Sequence, residues 1–210
     1  MSAVGSLKVS YIGGRTDSAG AAQTDIDQEE LRLLTGALLR QGLLPNTVDM
    51  TPNPNGFRVR QNTGVDMNVK VGSTTTQRDA YVLRGNSAGQ GAYIVRLDTA
   101  GLVVSVPASD PSLAARYGVY AWIDDAAYAG TAARAYAGVS CLRGTPSASP
   151  TTPAASAVWS SWALLWEFQL PALAVAVTDA ILDSATSFDR RVTADLLTQN
   201  FLESQVFGSR

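Results

Sequence analysis

A chain of 210 residues, 46% hydrophobic and 16% charged, is the size of one ordinary domain, or of one domain with an arm. Its 16 basic and 18 acidic residues leave a net charge of −2, without the basic excess of a dedicated nucleic-acid binder. The absence of histidine and the single cysteine, Cys141, exclude His-based triads, histidine metal sites, intrachain disulfides and CxxC redox pairs.

Residues 1–12 have neither the basic start nor the apolar run of a secretory signal, and a short strand is expected over residues 7–12. Residues 13–24 (GGRTDSAGAAQT) read as a small-residue linker. Asp27 and Glu30 have the spacing of a capping box, and Leu31, Leu34 and Leu38 follow at helical intervals, with Leu33 and Leu39 widening the stripe. Gly42 suits the position just past the end of that helix, and Pro45 prevents its resumption. Alone on a Gly-rich leash, such a stripe would face water. It therefore packs on the body of the protein or on copies of itself, and Leu31, Leu34 and Leu38 are the candidate assembly residues. Elsewhere the 2 Lys and 4 Glu, against 14 Arg and 14 Asp, predict little exposed helix.

From about residue 56 the hydrophobic period changes from 3.6 to 2. Residues 57–60 alternate, and residues 65–71 alternate four times, the pattern of a half-buried antiparallel strand. Further strands are expected over 80–83, 92–97, 102–106, 118–123, 133–142, 164–170 and 175–177, with 181–182 beyond. The pattern predicts a mainly β protein: an antiparallel β-sandwich or barrel-like domain over residues 51–195. An N-terminal arm with one short helix (1–50) precedes it, and a C-terminal tail (196–210) follows. Residues 144–157 (GTPSASPTTPAASA) form an extended Pro/Ser/Thr-rich crossing. The longest apolar stretch, residues 158–177, is interrupted by Glu167, Gln169 and Pro171, so no membrane insertion is expected.

Few residues suggest chemistry. The glycine-rich run 85–91 (GNSAGQG) lacks the Gly-Lys-Ser/Thr ending of a phosphate loop and is followed by a strand, so it reads as a hairpin loop. Asp124 and Asp125 adjoin on one strand and point to opposite faces, which suits a solvated turn better than a shared acid–base site. Cys141 lies in an alternating run and reads as a small buried apolar residue. Asp189-Arg190-Arg191 has the groups for a bidentate Arg–carboxylate pair, placed by this reading across subunits. Trp159, Trp162, Trp166 and Phe168 cluster within ten residues. Trp166 and Phe168 are expected in the core, while Trp159 and Trp162 mark a subunit contact or a candidate ligand platform for sugar rings. No catalytic residue, metal ligand or cofactor-binding residue is predicted.

Several runs in order resemble bacteriophage minor tail and tail-fibre proteins, particularly of phages of actinobacteria. They are residues 56–73 (GFRVRQNTGVDMNVKVGS), 77–82 (QRDAYV), 89–95 (GQGAYIV), 104–111 (VSVPASDP), 143–150 (RGTPSASP) and the closing 189–191 (DRR). The resemblance implies a non-enzymatic virion structural protein of the distal tail, in the tail tip, baseplate or fibre. It implies a β-sandwich, usually a homotrimer, made in the host cytoplasm and located in the virion tail. Its partners would be other tail proteins and host-surface glycan, with residues 1–50 as the docking arm. Residues 116–122 (RYGVYAW) depart from the family's pattern, in which an Asp often follows the Arg. The alternatives are a carbohydrate-binding module and a capsid or tail decoration protein.

Overall fold

A computed structural model describes residues 7–9, 36, 38–45, 53–72, 79–85, 91–97, 101–125 and 135–194, with the backbone alone at 7–9, 135 and 136. The strands are β1 (Leu7–Val9), β2 (Gly42–Leu43), β3 (Val59–Gln61), β4 (Asn68–Val71), β5 (Ala80–Arg84) and β6 (Ala92–Leu97). They continue as β7 (Leu102–Ser105), β8 (Ala115–Asp125), β9 (Ala135–Arg143), β10 (Ser161–Leu170) and β11 (Phe188–Asp189), with a one-turn helix, α1 (Asp179–Leu182), before the last. Three sheets result, ordered β1-β6-β5-β2, β11-β10-β8-β9 and β3-β4-β7. Among the described residues every pairing of strands is antiparallel, and one isolated bridge, Leu43 to Thr193, is parallel. The protein is mainly β and sandwich-like, as its period-2 patterning predicts.

One apolar cluster runs through all three sheets. It draws Val59, Val69 and Val71 from the small sheet, Tyr81, Leu83, Tyr93 and Val95 from β5 and β6, and Tyr117, Val119, Leu165 and Phe168 from β8 and β10. Tyr117 stacks on Phe168 at 5.4 Å, and Phe57 meets Tyr81 edge-on at 5.5 Å. The two larger sheets are also joined through backbone: Gly85 bridges Ser161, and the hydroxyl of Ser161 donates to the Arg84 carbonyl. β5 and β6 form a hairpin in which the Gly85 amide donates to the Gly91 carbonyl at 2.8 Å, and Gly91 sits at φ +75°, where glycine bears no Cβ clash.

Some elements depart from the sequence pattern. The alternation over 65–71 becomes strand only at Asn68. Asp66 accepts from the Asn68 amide at 3.1 Å and from Asn62 Nδ2 at 3.2 Å, an Asx turn that bends the chain and leaves Val65 77% exposed. The expected strand over 175–177 and 181–182 is absent: residues 175–177 are irregular, and Ile181 and Leu182 lie in α1. There Leu182 satisfies its apolar character by packing into the core from a helical turn. Gly36 and Leu38 have helical backbone, but Gly42 is no helix terminator; it opens β2 and pairs with Val82. Leu38 is 38% exposed. Asp27, Glu30, Leu31 and Leu34 lie outside the described residues, as does the 196–210 tail.

Candidate functional site

The outer face of the β11-β10-β8-β9 sheet carries a second, separate cluster of apolar side chains. β8 is its central strand and is buried on both sides. Ala115, Tyr117, Val119, Ala121 and Ile123 enter the main core, while the alternate positions Tyr120 and Trp122 turn outward. Trp162 on β10 lies directly across from Trp122, and Gly138 on β9 lies across on the other side. Gly138 is required by packing, because a Cβ there would lie 2.5 Å from the Trp122 ring. The Trp122 indole N–H donates to the Ser140 hydroxyl at 2.8 Å, which satisfies its only polar atom.

The Pro-rich segment 144–160 runs as a strap over this face. Its ends are tied to β8: the amides of Gly144 and Ser147 donate to the carbonyls of Arg116 and Ala114 at 2.8 and 3.0 Å, and that of Ser160 donates to Ile123 at 2.8 Å. In between, the Tyr120 hydroxyl donates to the Pro153 carbonyl. Burial, with the negative charge of Glu167 nearby, pushes the Tyr120 phenol up, so it stays neutral and remains a donor. Trp159, on the strap, stacks parallel on Trp122 at 5.5 Å and meets Tyr120 at 5.7 Å. Trp162 touches the same Tyr120 edge-on at 5.8 Å. Tyr120, Trp122 and Trp159 are thereby buried, and Trp162, at 37% exposure, is the ring of the group that faces solvent.

The lower end of the face is ionic. Glu167 is buried, and both its oxygens are engaged: Thr152 donates to Oε2, and Arg190 donates to Oε1 through Nε (3.0 Å) and Nη2. Arg116 lies 3.7 Å from the same carboxylate. Burial would raise the Glu167 carboxyl, but the Thr152 hydroxyl and the Arg190 and Arg116 charges outweigh it and hold it below the usual carboxylate range. Arg116 and Arg190 also approach the Phe188 ring, at 5.6 and 5.0 Å. Arg191 pairs with Asp189 through two bonds (2.9 and 2.6 Å), donates to the carbonyls of Pro54 and Gly56, and lies over Trp166 at 5.7 Å. The Asp189-Arg190-Arg191 pairs therefore close within the chain, not across subunits, because β11 lies against β10 and brings its arginines onto carboxylates of the same chain.

Of the candidate platform residues, Trp159 and Trp162 come together through Tyr120, whereas Trp166 and Phe168 belong to the core. A bulge in β10 between Leu164 and Trp166 produces this split. Sequence reasoning missed Tyr120 and Trp122 as members of the group, although Gly118, Tyr120 and Trp122 share one face by simple alternation. It also mistook Asp125 for a solvated residue. Asp125 is 2% exposed and accepts from the Tyr93 hydroxyl at 2.7 Å, tying β8 to β6. Asp124 lies on the opposite side of the strand. Burial pushes the Cys141 thiol strongly up, away from the thiolate a nucleophile needs. Among the described residues no three His, Cys, Asp or Glu side chains converge as metal ligands, and no helix is long and apolar enough to cross a membrane.

Compared with known proteins, the chain matches no family model, no curated protein and no solved structure.

Proposed function

We propose that the chain is a non-enzymatic bacteriophage virion protein of the distal tail, in the tail tip, baseplate or fibre. In this reading it is a homo-oligomer, a trimer by the resemblance, that joins the virion to a host receptor or to a receptor-binding partner. The observation that carries the reading is the ordered resemblance of residues 56–191 to phage tail proteins. The antiparallel scaffold suits it: a core spanning three sheets supports the outer face of the β11-β10-β8-β9 sheet. Mass spectrometry of purified virions, from a phage that encodes the chain, tests it. The chain is expected among the virion proteins, and an antibody against it is expected to neutralise. Absence from the virions sinks the reading.

A second reading, a carbohydrate-binding module, rests on Trp162, whose half-exposed ring stands beside a buried aromatic stack that fixes its orientation. Trp162→Ala is expected to abolish binding on a glycan array while leaving the far-UV circular dichroism unchanged. Equal glycan binding by wild type and variant would remove Trp162 from that role.

A further inference from the structure

The ionic end of the outer face holds more positive charge than Glu167 neutralises. Arg116 on β8 and Arg190 just after β11 reach the same oxygen of that carboxylate, the first at 3.7 Å and the second through Nε and Nη2. Thr152 of the strap takes the other oxygen. Neither guanidinium pairs with a second carboxylate among the described residues. Residues 144–160 contain no acid, and Asp189 is held by Arg191 on the opposite side of β11 from Phe188. Asp124 stands at the far end of β8, about 26 Å away by strand rise.

Hydrogen bonding is as uneven as charge. Arg190 uses Nε and Nη2 on Glu167, and its Nη1 is uncommitted. Arg116 makes no side-chain hydrogen bond among the described residues. Its approach to Glu167 is an ion pair only, and its Nε is buried with no partner. A guanidinium carries five donors, and withdrawing them from water is costly unless acceptors replace it. Arg190 is 50% exposed and Arg116 22%, so an acceptor from outside can reach both.

Charge and geometry select that acceptor. Two guanidiniums beside one carboxylate leave a single positive charge, which repels cations and favours an oxyanion whose paired oxygens match the arginine fork. Phe188, 39% exposed, lies 5.6 and 5.0 Å from the two guanidinium carbons and offers an apolar surface to whatever carries the oxyanion. Two arginines are too few for a nucleic acid, which needs a basic track along its phosphates. An acidic sugar supplies both parts, a ring for Phe188 and an oxyanion for the arginines.

We propose that Arg116, Arg190 and Phe188 form a binding site for an oxyanion, the carboxylate or phosphate group of an acidic sugar. The site lies at the other end of the outer face from Trp162. It depends on neither the virion location nor the Trp162 platform, so each can fail alone.

The experiment is an NMR titration of the full chain, labelled with nitrogen-15 at arginine, that follows the Nε–H signals. The titrants are glucuronate, glucose 6-phosphate, inorganic phosphate and glucose. Glucuronate and glucose 6-phosphate are expected to shift two arginine signals together, and the tighter of them identifies the anionic group. Glucose is expected to shift neither, and inorganic phosphate to bind more weakly than glucose 6-phosphate. Arg116→Gln is expected to weaken binding at least about tenfold with unchanged far-UV circular dichroism. Arg84→Gln makes the same charge change beside Ser161, at the other end of β10, and is expected to bind like wild type. Should Arg116→Gln not fold, Glu167→Gln repeats the test with the opposite sign: removing the competing carboxylate is expected to tighten binding severalfold. No shift with either acidic sugar, equal shifts with glucose, wild-type affinity in Arg116→Gln, or weaker binding in Glu167→Gln overturns the proposal. Inorganic phosphate binding as tightly as glucose 6-phosphate overturns the assignment to a sugar.

Discussion

Gly138 shows how one missing side chain governs a cluster. With no Cβ in the way, the Trp122 ring lies flat across β9 and receives Trp159 on its other face. Gly138→Ala places a methyl 2.5 Å from that ring, and an overpacked site of this kind costs roughly 1–3 kcal/mol. Chemical denaturation is expected to show that loss, and near-UV circular dichroism a change in the tryptophan signal. Glu167 gives a pH dependence whose sign follows from its lowered carboxyl. Its folded value lies below the unfolded value of about 4.3, so its contribution is complete above that pH and is lost as the pH falls through the folded value. Wild type is therefore expected to lose more stability than Glu167→Gln between neutral pH and the acid side of 4.3. Equal losses in parallel denaturant titrations would show that the carboxylate does not act this way. None of these roles was legible in the sequence. Gly138 is one of 18 glycines with nothing local to mark it, and Glu167, although it stands out as the charge within residues 158–177, carries no local sign of its partners.

At the scale of elements, the strap over 144–160 is the informative case. Its Pro, Ser and Thr content announces an extended segment without indicating where that segment lies. In the fold it covers the outer face of β8, held at both ends by backbone bonds, in the middle by the Tyr120–Pro153 hydrogen bond, and beside its C-terminal end by the stack of Trp159 on Trp122. Trp159→Ala removes the ring that stacks on Trp122 and is expected to cost about 3 kcal/mol, the low end for a buried tryptophan. Limited proteolysis is expected to cut the variant within 144–160 faster than wild type; equal rates would mean that Trp159 does not fasten the strap. α1 teaches the converse. Val175, Val177, Ile181 and Leu182 look like strand residues, yet only burial was written in that pattern. A helical turn after the irregular segment buries Leu182 as well as a strand would.

For the whole molecule, the continuity of the core matters most. The main cluster includes residues from β2 through β10 and from α1, so the three sheets share one core, with the smaller aromatic cluster on the outer face of β8 beside it. Thermal unfolding is therefore expected to be one cooperative transition, with far-UV and near-UV circular dichroism coinciding. Two separated transitions would mean that the outer aromatic cluster or one sheet melts independently.

The sequence by itself determined the class of fold: period-2 alternation punctuated by Gly, Asn, Asp and Pro marks antiparallel strands from about residue 56 onward, with β5 and β6 as a hairpin and Trp166, Phe168 and Cys141 inside. That much is local, since alternation fixes which residues share a face and turn residues fix where strands end. Only the tertiary structure decided that β8 is central and buried on both faces, which makes Tyr120 and Trp122 partners of Trp159 and Trp162. It alone paired Glu167 with Arg190, Tyr93 with Asp125, and Leu173 with an exposed left-handed turn. Those assignments depend on which strands become neighbours and on one bulge in β10. Both follow from long-range packing, for which a linear pattern carries no record.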